Sequence, residues 1–439
     1  PRSTHCISSA ASDVYKRQGR GFKALRPEPE YADDVIAPPY DVLNSEEARA
    51  LAEGKPFSFL HISKPEIDLP KNISADDPLV YKRGLENLES MIQKKILVRD
   101  DEESLFVYNI ATKDHSQTGI AFVASIDAYE NNLIKKHEHT KPAKKLDRIN
   151  NIKALNAQTG PVLLTYIDNT RLDNLVAEYI SGNEPIYSVV NKEKIKHSIW
   201  KIDDMNSMNE AISAINDLES LYIADGHHRS AAASKVRESK MNANSQHTGK
   251  EDYNYFLAVA FPKSKMTILD YNRLIKTSNG HSNNDLIAMI EKNFKCTLSD
   301  HPVKPTQEKS YGLYTAGQWY YLELTGDYDD KSPVNSLDVS ILHNLILDPI
   351  LGIKDERVDT NIDFVGGARG LKELERRVDS NEMAIAFSLY PTPIDALISV
   401  ADADLIMPPK STWFEPKLLA VSYTHLRAHE TSLHLVCRL

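Results

Sequence analysis

"SLYIADGHHRSAAASKVRE", residues 220 to 238, passes from an apolar run of strand length through four polar residues and a glycine into an alanine-rich run of helix-forming composition. The reading is strand, turn, helix, with Gly-His-His-Arg as the turn. Such a junction aims backbone N–H groups and the positive end of the helix dipole at one point, which suits an anion. Gly226 permits close backbone approach or a positive φ, and Arg229 can fork onto phosphate oxygens. Asp225, at the strand end, has no evident part in binding an anion directly. It is expected to hold a magnesium ion or to accept a proton from an attacking hydroxyl. His227 and His228 are expected to donate to phosphate oxygens or to act as acid or base. The plain alternative is that Asp225 caps the helix and both histidines are ordinary surface residues.

Outward from this junction, strand-like and helix-like runs alternate. Residues 57–62 (FSFLHI), 104–112, 119–127, 160–167, 220–225 and 255–262 have strand length and turn-type flanks. Residues 44–53 read as a helix with Asn44 as cap and Glu47 as its reciprocal partner. In 79–95, Leu85, Leu88 and Ile92 define an apolar helical face. A polar stretch at 276–285 accompanies a change of region, after which a hairpin around Ala316-Gly317, a helix at 337–347 and a strand at 383–392 are expected. The mixture argues for an α+β class. Two domains are expected, residues 19–270 and 271–420, the first catalytic and the second a mixed α/β region.

The ends read differently. Residues 1–18 and 421–439 resemble translated sequencing-adapter readthrough and are set aside, so the native chain is expected to run from about Gly19 to about Ala420, cut short at both ends. Without the ends the balance is 47 Lys and Arg against 60 Asp and Glu, a net charge of −13 compared with −10 for the whole chain. A surface field of that sign repels phosphate outside local basic pockets, so nucleic acid is not an expected partner. One cysteine remains, Cys296, which excludes a disulfide framework and a cysteine-rich zinc site and suits a reducing cytoplasm. No apolar run approaches bilayer-spanning length, and no membrane partner is expected.

Further motifs surround the first. "APPYDVLN" (37–44) stiffens the approach to Asp41 with two prolines, which suits a substrate-orienting carboxylate or a solvated helix entry. "IKKHEHTKPAKKLDRI" (134–149) is the most basic stretch and contributes Glu138 as base or metal ligand and Arg148 as phosphate ligand, unless it is a solvated loop. "DFVGGARG" (363–370) suggests a glycine nest with Arg369, or a tight turn. "MPPKSTWF" (407–414) lacks the glycines of a P-loop but leaves Lys410 as a candidate phosphate ligand, with Trp413 assigned to packing.

"IADGHHRSAA" resembles the signature of the ParB/sulfiredoxin superfamily. Residues 21–418 resemble the domain of unknown function 1015 family through FKALRP (22–27), APPYDVLNSEEAR (37–49), SFLHI (58–62), IKKHEHTKP (134–142), DRINNIKALNAQTGPV (147–162), LYIADGHHR (221–229), YNRLIK (271–276), DFVGGARG (363–370) and MPPKSTWFEPKL (407–418). Where that family tends to have acidic residues, this chain has Lys144 and Lys145. By analogy with the free serine kinases of the same superfamily, the resemblance implies a ParB/sulfiredoxin-like N-terminal core and phosphoryl transfer to free serine or a similar small acceptor. The implied donor is ATP, ADP or inorganic pyro- or polyphosphate, with Mg2+ at Asp225. On this reading Asp225, His227, Glu138 and Asp41 are catalytic, while Gly226, His228, Arg229, Arg148, Arg369 and Lys410 bind phosphate or nucleotide. The rival is a nucleotide-binding regulatory or DNA-associated protein without kinase activity.

Overall fold

Apolar runs that have no polar member on either face need cover on both sides, and residues 255–262 are such a run. In the computed structural model, which describes residues 18–420 and 424–426, this segment is a strand whose residues Phe256–Phe261 are at most 1% exposed. The described residues show a mixed α/β architecture with several sheets, divided into two compact units. The first comprises the described residues up to Lys135, then Thr140–Lys265, then those from Pro416 on; the second comprises Lys136–His139 and Met266–Glu415. The division thus falls a few residues ahead of the expected 270/271, and the chain re-enters the first unit after Glu415.

The main strands of the first unit are β1 (Leu105–Ala111), β2 (Ser116–Ser125), β3 (Val162–Tyr166), β4 (Leu221–Asp225) and β5 (Tyr255–Pro262). They form one large sheet in the order Ile134–Lys135, β4, β3, β5, β2, β1, Lys196–Ile202 and Tyr187–Val190, with Gly19–Arg20 beside β2. β5 runs parallel to β3, and Ile134–Lys135 parallel to β4; the other pairs are antiparallel. Between β4 and β3 the register slips between Ile223 and Asp225, a bulge immediately before the turn of interest. A bulge bends its strand and re-aims the next side chain, here Asp225.

Three helices matter for the site: α1 (Ser45–Ala52), α2 (Pro142–Leu155) and α3 (His227–Ala243). α1 starts as the sequence implies, with Asn44 Oδ1 accepting from Glu47 N at 2.9 Å and Glu47 Oε2 accepting from Asn44 N at 2.8 Å. α3 packs on α2 through Ala232 and Val236 against Ile149 and Ile152. Small side chains on α3 allow that approach, which brings the N-terminal turn of α3 near the Arg148 turn of α2.

Two expectations are corrected. Residues 57–62 are not a strand: after a turn, Leu60–Ser63 is helical, with Ser63 N donating to Phe59 O and Lys64 N to Leu60 O. Phe59, Leu60, Ile62 and Ser63 are all buried, a spacing that a helical turn satisfies and alternation does not. In the helix Pro78–Gln93 the buried stripe is Val80, Gly84, Leu88 and Met91, whereas Ile92 is 38% exposed. Two pieces of the ends set aside on sequence take part in the fold. Gln18 is buried, its N–H bonded to Asn216 Oδ1 at 2.7 Å, and Thr424–Leu426 pairs with Ala24–Pro27 and Ala157–Gln158.

The second unit has an antiparallel sheet of β6 (Tyr271–Ile275), β7 (Ser310–Thr315), β8 (Gln318–Leu324), β9 (Ile362–Gly366) and β10 (Ile385–Leu389), ordered Phe294–Ser299, β8, β7, β10, β6, β9. The expected hairpin joins β7 to β8, with Ala316 at φ 49° and Gly317 at φ 75°, the two-residue mirror-image turn that matches strand twist. The expected helix at 337–347 is α-helical over Asp338–Leu342 and widens to a π-helix over His343–Leu347.

Candidate functional site

The turn between β4 and α3 is shorter than the sequence implies. Gly226 alone forms it, at φ 104°, and His227, His228 and Arg229 already belong to the first turn of a 17-residue helix. No side chain caps this helix. Asp225 is therefore not its cap. Its Oδ2 accepts from Lys417 Nζ at 3.1 Å, and its Oδ1 lies 3.7 Å from an Arg229 terminal nitrogen. Burial pushes the Asp225 pKa up, but Lys417, Arg229 and His227 outweigh it and hold the carboxyl well below the usual carboxylate range.

Arg229 is the hub. The same terminal nitrogen lies 3.6 Å from Asp41 Oδ2, and the other donates to the Pro161 carbonyl. Burial works against the charge, while Asp41 and Asp225 overcome it, so the guanidinium pKa is raised. A Cβ on Gly226 would sit 3.2 Å from both Val162 Cα and Arg229 Nε. Glycine is thus required both for the positive φ and for the approach of β3 and Arg229.

Arg148 is 8% exposed and binds one Asp147 oxygen through two nitrogens, at 2.9 and 2.7 Å. Its guanidinium stacks 3.8 Å from the centre of the Tyr40 ring, the residue preceding Asp41. Burial, countered by Arg148, carries the Tyr40 hydroxyl up to about 12. Asp147 in turn accepts from the Tyr81 hydroxyl at 2.9 Å. A cavity of about 30 Å3 opens among Tyr40, Ser63, Arg148, Thr159, Gly160 and Arg229.

The first unit therefore holds Asp41, Arg148, Asp225, Gly226, His227, His228 and Arg229, with Asp41 and Asp225 meeting at Arg229. His227 is buried at 4% exposure. His228 Nε2 accepts from the Lys141 N–H at 3.0 Å, just ahead of α2, so this nitrogen is committed to structure. The remaining candidates, Glu138, Arg369 and Lys410, belong to the second unit. Beside Glu138, the His137 carbonyl accepts from Met407 N at 2.8 Å. Arg369 is exposed at the end of a 3-10 turn. Gly366 and Gly367 serve close packing there: a Cβ would fall 2.6 Å from the Trp413 ring and 2.5 Å from Asp270 Oδ1. Trp413 packs as expected, edge-on to Tyr271. Lys410 Nζ lies 5.4 Å from the centre of the Tyr271 ring, and its carbonyl accepts from the buried Arg273.

The sequence model of the family described as "Protein of unknown function (DUF1015)" matches residues 20–340, well over half of the chain. The chain belongs to the DUF1015 family. No curated protein matches it. Among solved structures, it is similar to a free serine kinase mutant in complex with AMP, at 10% identity over 67% of this chain and 87% of that one, with a TM-score of 0.34. It is also similar to C-terminally truncated SbnI from Staphylococcus aureus, at 9% identity over 67% and 82% of the two chains and a TM-score of 0.35. A conserved hypothetical protein from Pyrococcus furiosus gives 13% identity over 67% and 90%, with a TM-score of 0.30. At these scores the likeness bears on neither the fold nor the site.

In this DUF1015 protein two residues join the site without a sequence signal of their own. Lys417 lies 192 positions from Asp225. Ser63 directly follows residues 57–62, which read as a strand. Both fall inside or beside family-like motifs, the one available hint. The magnesium expected at Asp225 meets a poor fit in this unit. Mg2+ asks for about six oxygens at roughly 2 Å, whereas Arg229 already lies between Asp41 and Asp225, and Lys417 occupies the other Asp225 oxygen. The donor set is that of a salt-bridged cluster rather than an oxygen cradle.

Proposed function

We propose that the turn at Asp225–Arg229 binds a phosphoanion and that this protein is a small-molecule phosphotransferase with a ParB/sulfiredoxin-like core. The donor is a nucleotide such as ATP or ADP, or inorganic pyro- or polyphosphate, and the acceptor is the hydroxyl of free serine or a similar small molecule. The observation that carries this reading is the junction itself: a long helix whose N-terminus opens at a positive-φ glycine, with Arg229 held rigid by two carboxylates and a carbonyl. Helix N-terminus and guanidinium together stabilise the charge spread over the transferring phosphoryl oxygens.

In this reading the acceptor oxygen forms the new bond to phosphorus as the bond to the bridging donor oxygen breaks, and the leaving phosphate takes the electron pair. Asp41, 33% exposed at its side chain, receives the hydroxyl proton. Asp225 is too strongly held in its ionised form by Lys417 and Arg229 to serve as a base, and its task is to aim these two cations. Their charge does the neutralising.

The test is incubation of purified protein with L-serine and, separately, ATP, ADP, pyrophosphate and polyphosphate, each with and without Mg2+, with phosphoserine read by phosphorus NMR. One donor should yield phosphoserine, and Asp225→Asn should lower that rate at least a hundredfold with a melting temperature within a few degrees of the parent. Folded protein that forms no phosphoserine with any donor overturns the reading. Nucleotide binding indifferent to serine would then favour the regulatory alternative.

A further inference from the structure

We propose that the cavity beside Arg229 is a carboxylate subsite that holds the acidic end of the amino-acid acceptor; the identity of the acceptor rests on the function proposed above, the anion chemistry on the cavity alone. Its volume of about 30 Å3 decides its scale. One water needs on the order of 10–15 Å3 by this measure, so there is room for roughly two oxygen-sized groups. A nucleoside is excluded, since such ligands occupy pockets of about 300 Å3 or more.

Two buried polar atoms of the lining residues have no partner. Ser63 is 5% exposed, lines the cavity, and its hydroxyl has no hydrogen-bond partner. Arg229 Nε is likewise buried and unbonded. Buried donors left unpaired carry a desolvation cost, and native structures rarely keep two together without a ligand or water between them. Arg148, 8% exposed, adds a second guanidinium on the same cavity, anchored by Asp147 and flat on Tyr40. Two guanidinium groups and a free hydroxyl call for a group that only accepts, which is an oxyanion. Ile152, Pro161 and Leu418 supply an apolar wall that strengthens such a contact, and a volume of about 30 Å3 leaves little room for a third and fourth oxygen. A carboxylate fits this space better than phosphate does. The subsite adjoins Asp41 and Asp225 through Arg229, so an amino acid bound by its carboxylate would direct its remaining polar groups toward those two acids.

Direct binding tests the assignment without requiring a donor or turnover. Isothermal titration of L-serine, L-serinamide and inorganic phosphate is compared for the parent protein and Ser63→Ala. L-Serine should bind the parent at least tenfold more tightly than L-serinamide. Ser63→Ala should weaken L-serine about five- to tenfold while leaving the thermal melt unchanged, because the hydroxyl has no protein bond to lose. Should Ser63→Ala fail to fold, Ser63→Cys carries the same comparison. Equal affinity for L-serine and L-serinamide, no binding of L-serine, or no effect of the Ser63 change overturns the subsite. So does phosphate that competes with serine and is itself lost in Ser63→Ala, which would make the cavity a phosphate site. Serine bound in this way without phosphoserine formation defeats the transfer reading alone. Phosphorylation of serinamide as fast as serine defeats the subsite alone.

Discussion

Gly226 is asked for two things at once, a φ of 104° and a bare Cα against Val162. The left-handed region penalises any side chain, and Val162 Cα is backbone that cannot swing aside. Gly226→Ala should therefore cost about 1–3 kcal/mol, read as a lower urea midpoint with an unchanged slope. Arg229 Nε sits equally close to the added methyl, so the same variant should also weaken binding at the turn. Asp225, Gly226 and Arg229 were legible in the sequence because five chemically demanding residues stand together between two regular elements. Their roles were less so. The quoted stretch does not reveal that Lys417 neutralises Asp225 or that His228 Nε2 is taken up by the Lys141 N–H.

At the scale of elements, periodicity served where it was long and unambiguous. β5 occupies residues 255–262 as expected, and α1 carries the expected reciprocal cap. It failed at 57–62, where six residues are too few to separate a buried helical turn from a strand, and at Ile92, where the face that packs is set by the neighbours of the helix. The β7–β8 hairpin offers a prediction at this scale. Ala316 is exposed and held at φ 49°, a conformation that costs alanine more than asparagine. Ala316→Asn should stabilise the second unit by roughly 0.5–1 kcal/mol, seen as a higher urea midpoint; a lower midpoint would show that the turn relaxes elsewhere.

Across the whole molecule, acid stability has an identifiable contributor. His197 is 2% exposed, hydrogen-bonded to the Tyr108 hydroxyl at 2.9 Å, and burial lowers its pKa from 6.5 to about 4. Between these values the unfolded chain binds the proton and the folded one does not, so stability falls as pH drops from 6.5 toward 4. The loss should approach about 3 kcal/mol. His61 and His343, whose pKa values are raised by carboxylate partners, act in the opposite sense: they stabilise below pH 6.5, and that contribution is lost as pH rises through their folded values. Comparing urea midpoints of the parent and His197→Gln at pH 7, 5.5 and 4.5 isolates the His197 share, and the variant should show the flatter profile. At this same scale the chain's return after Glu415 defines the site, since residues 416–420 bring Lys417 to Asp225 and Leu418 to the cavity wall. By itself the sequence determined the mixed α/β character, most strands and the strand-turn-helix junction, because hydrophobic period and glycine act locally along a chain. Only the tertiary structure decided that two carboxylates share one arginine, that Lys417 pairs with Asp225, and that Ser63 faces a small cavity. Those outcomes come from packing between segments far apart in the chain, and no local pattern encodes them.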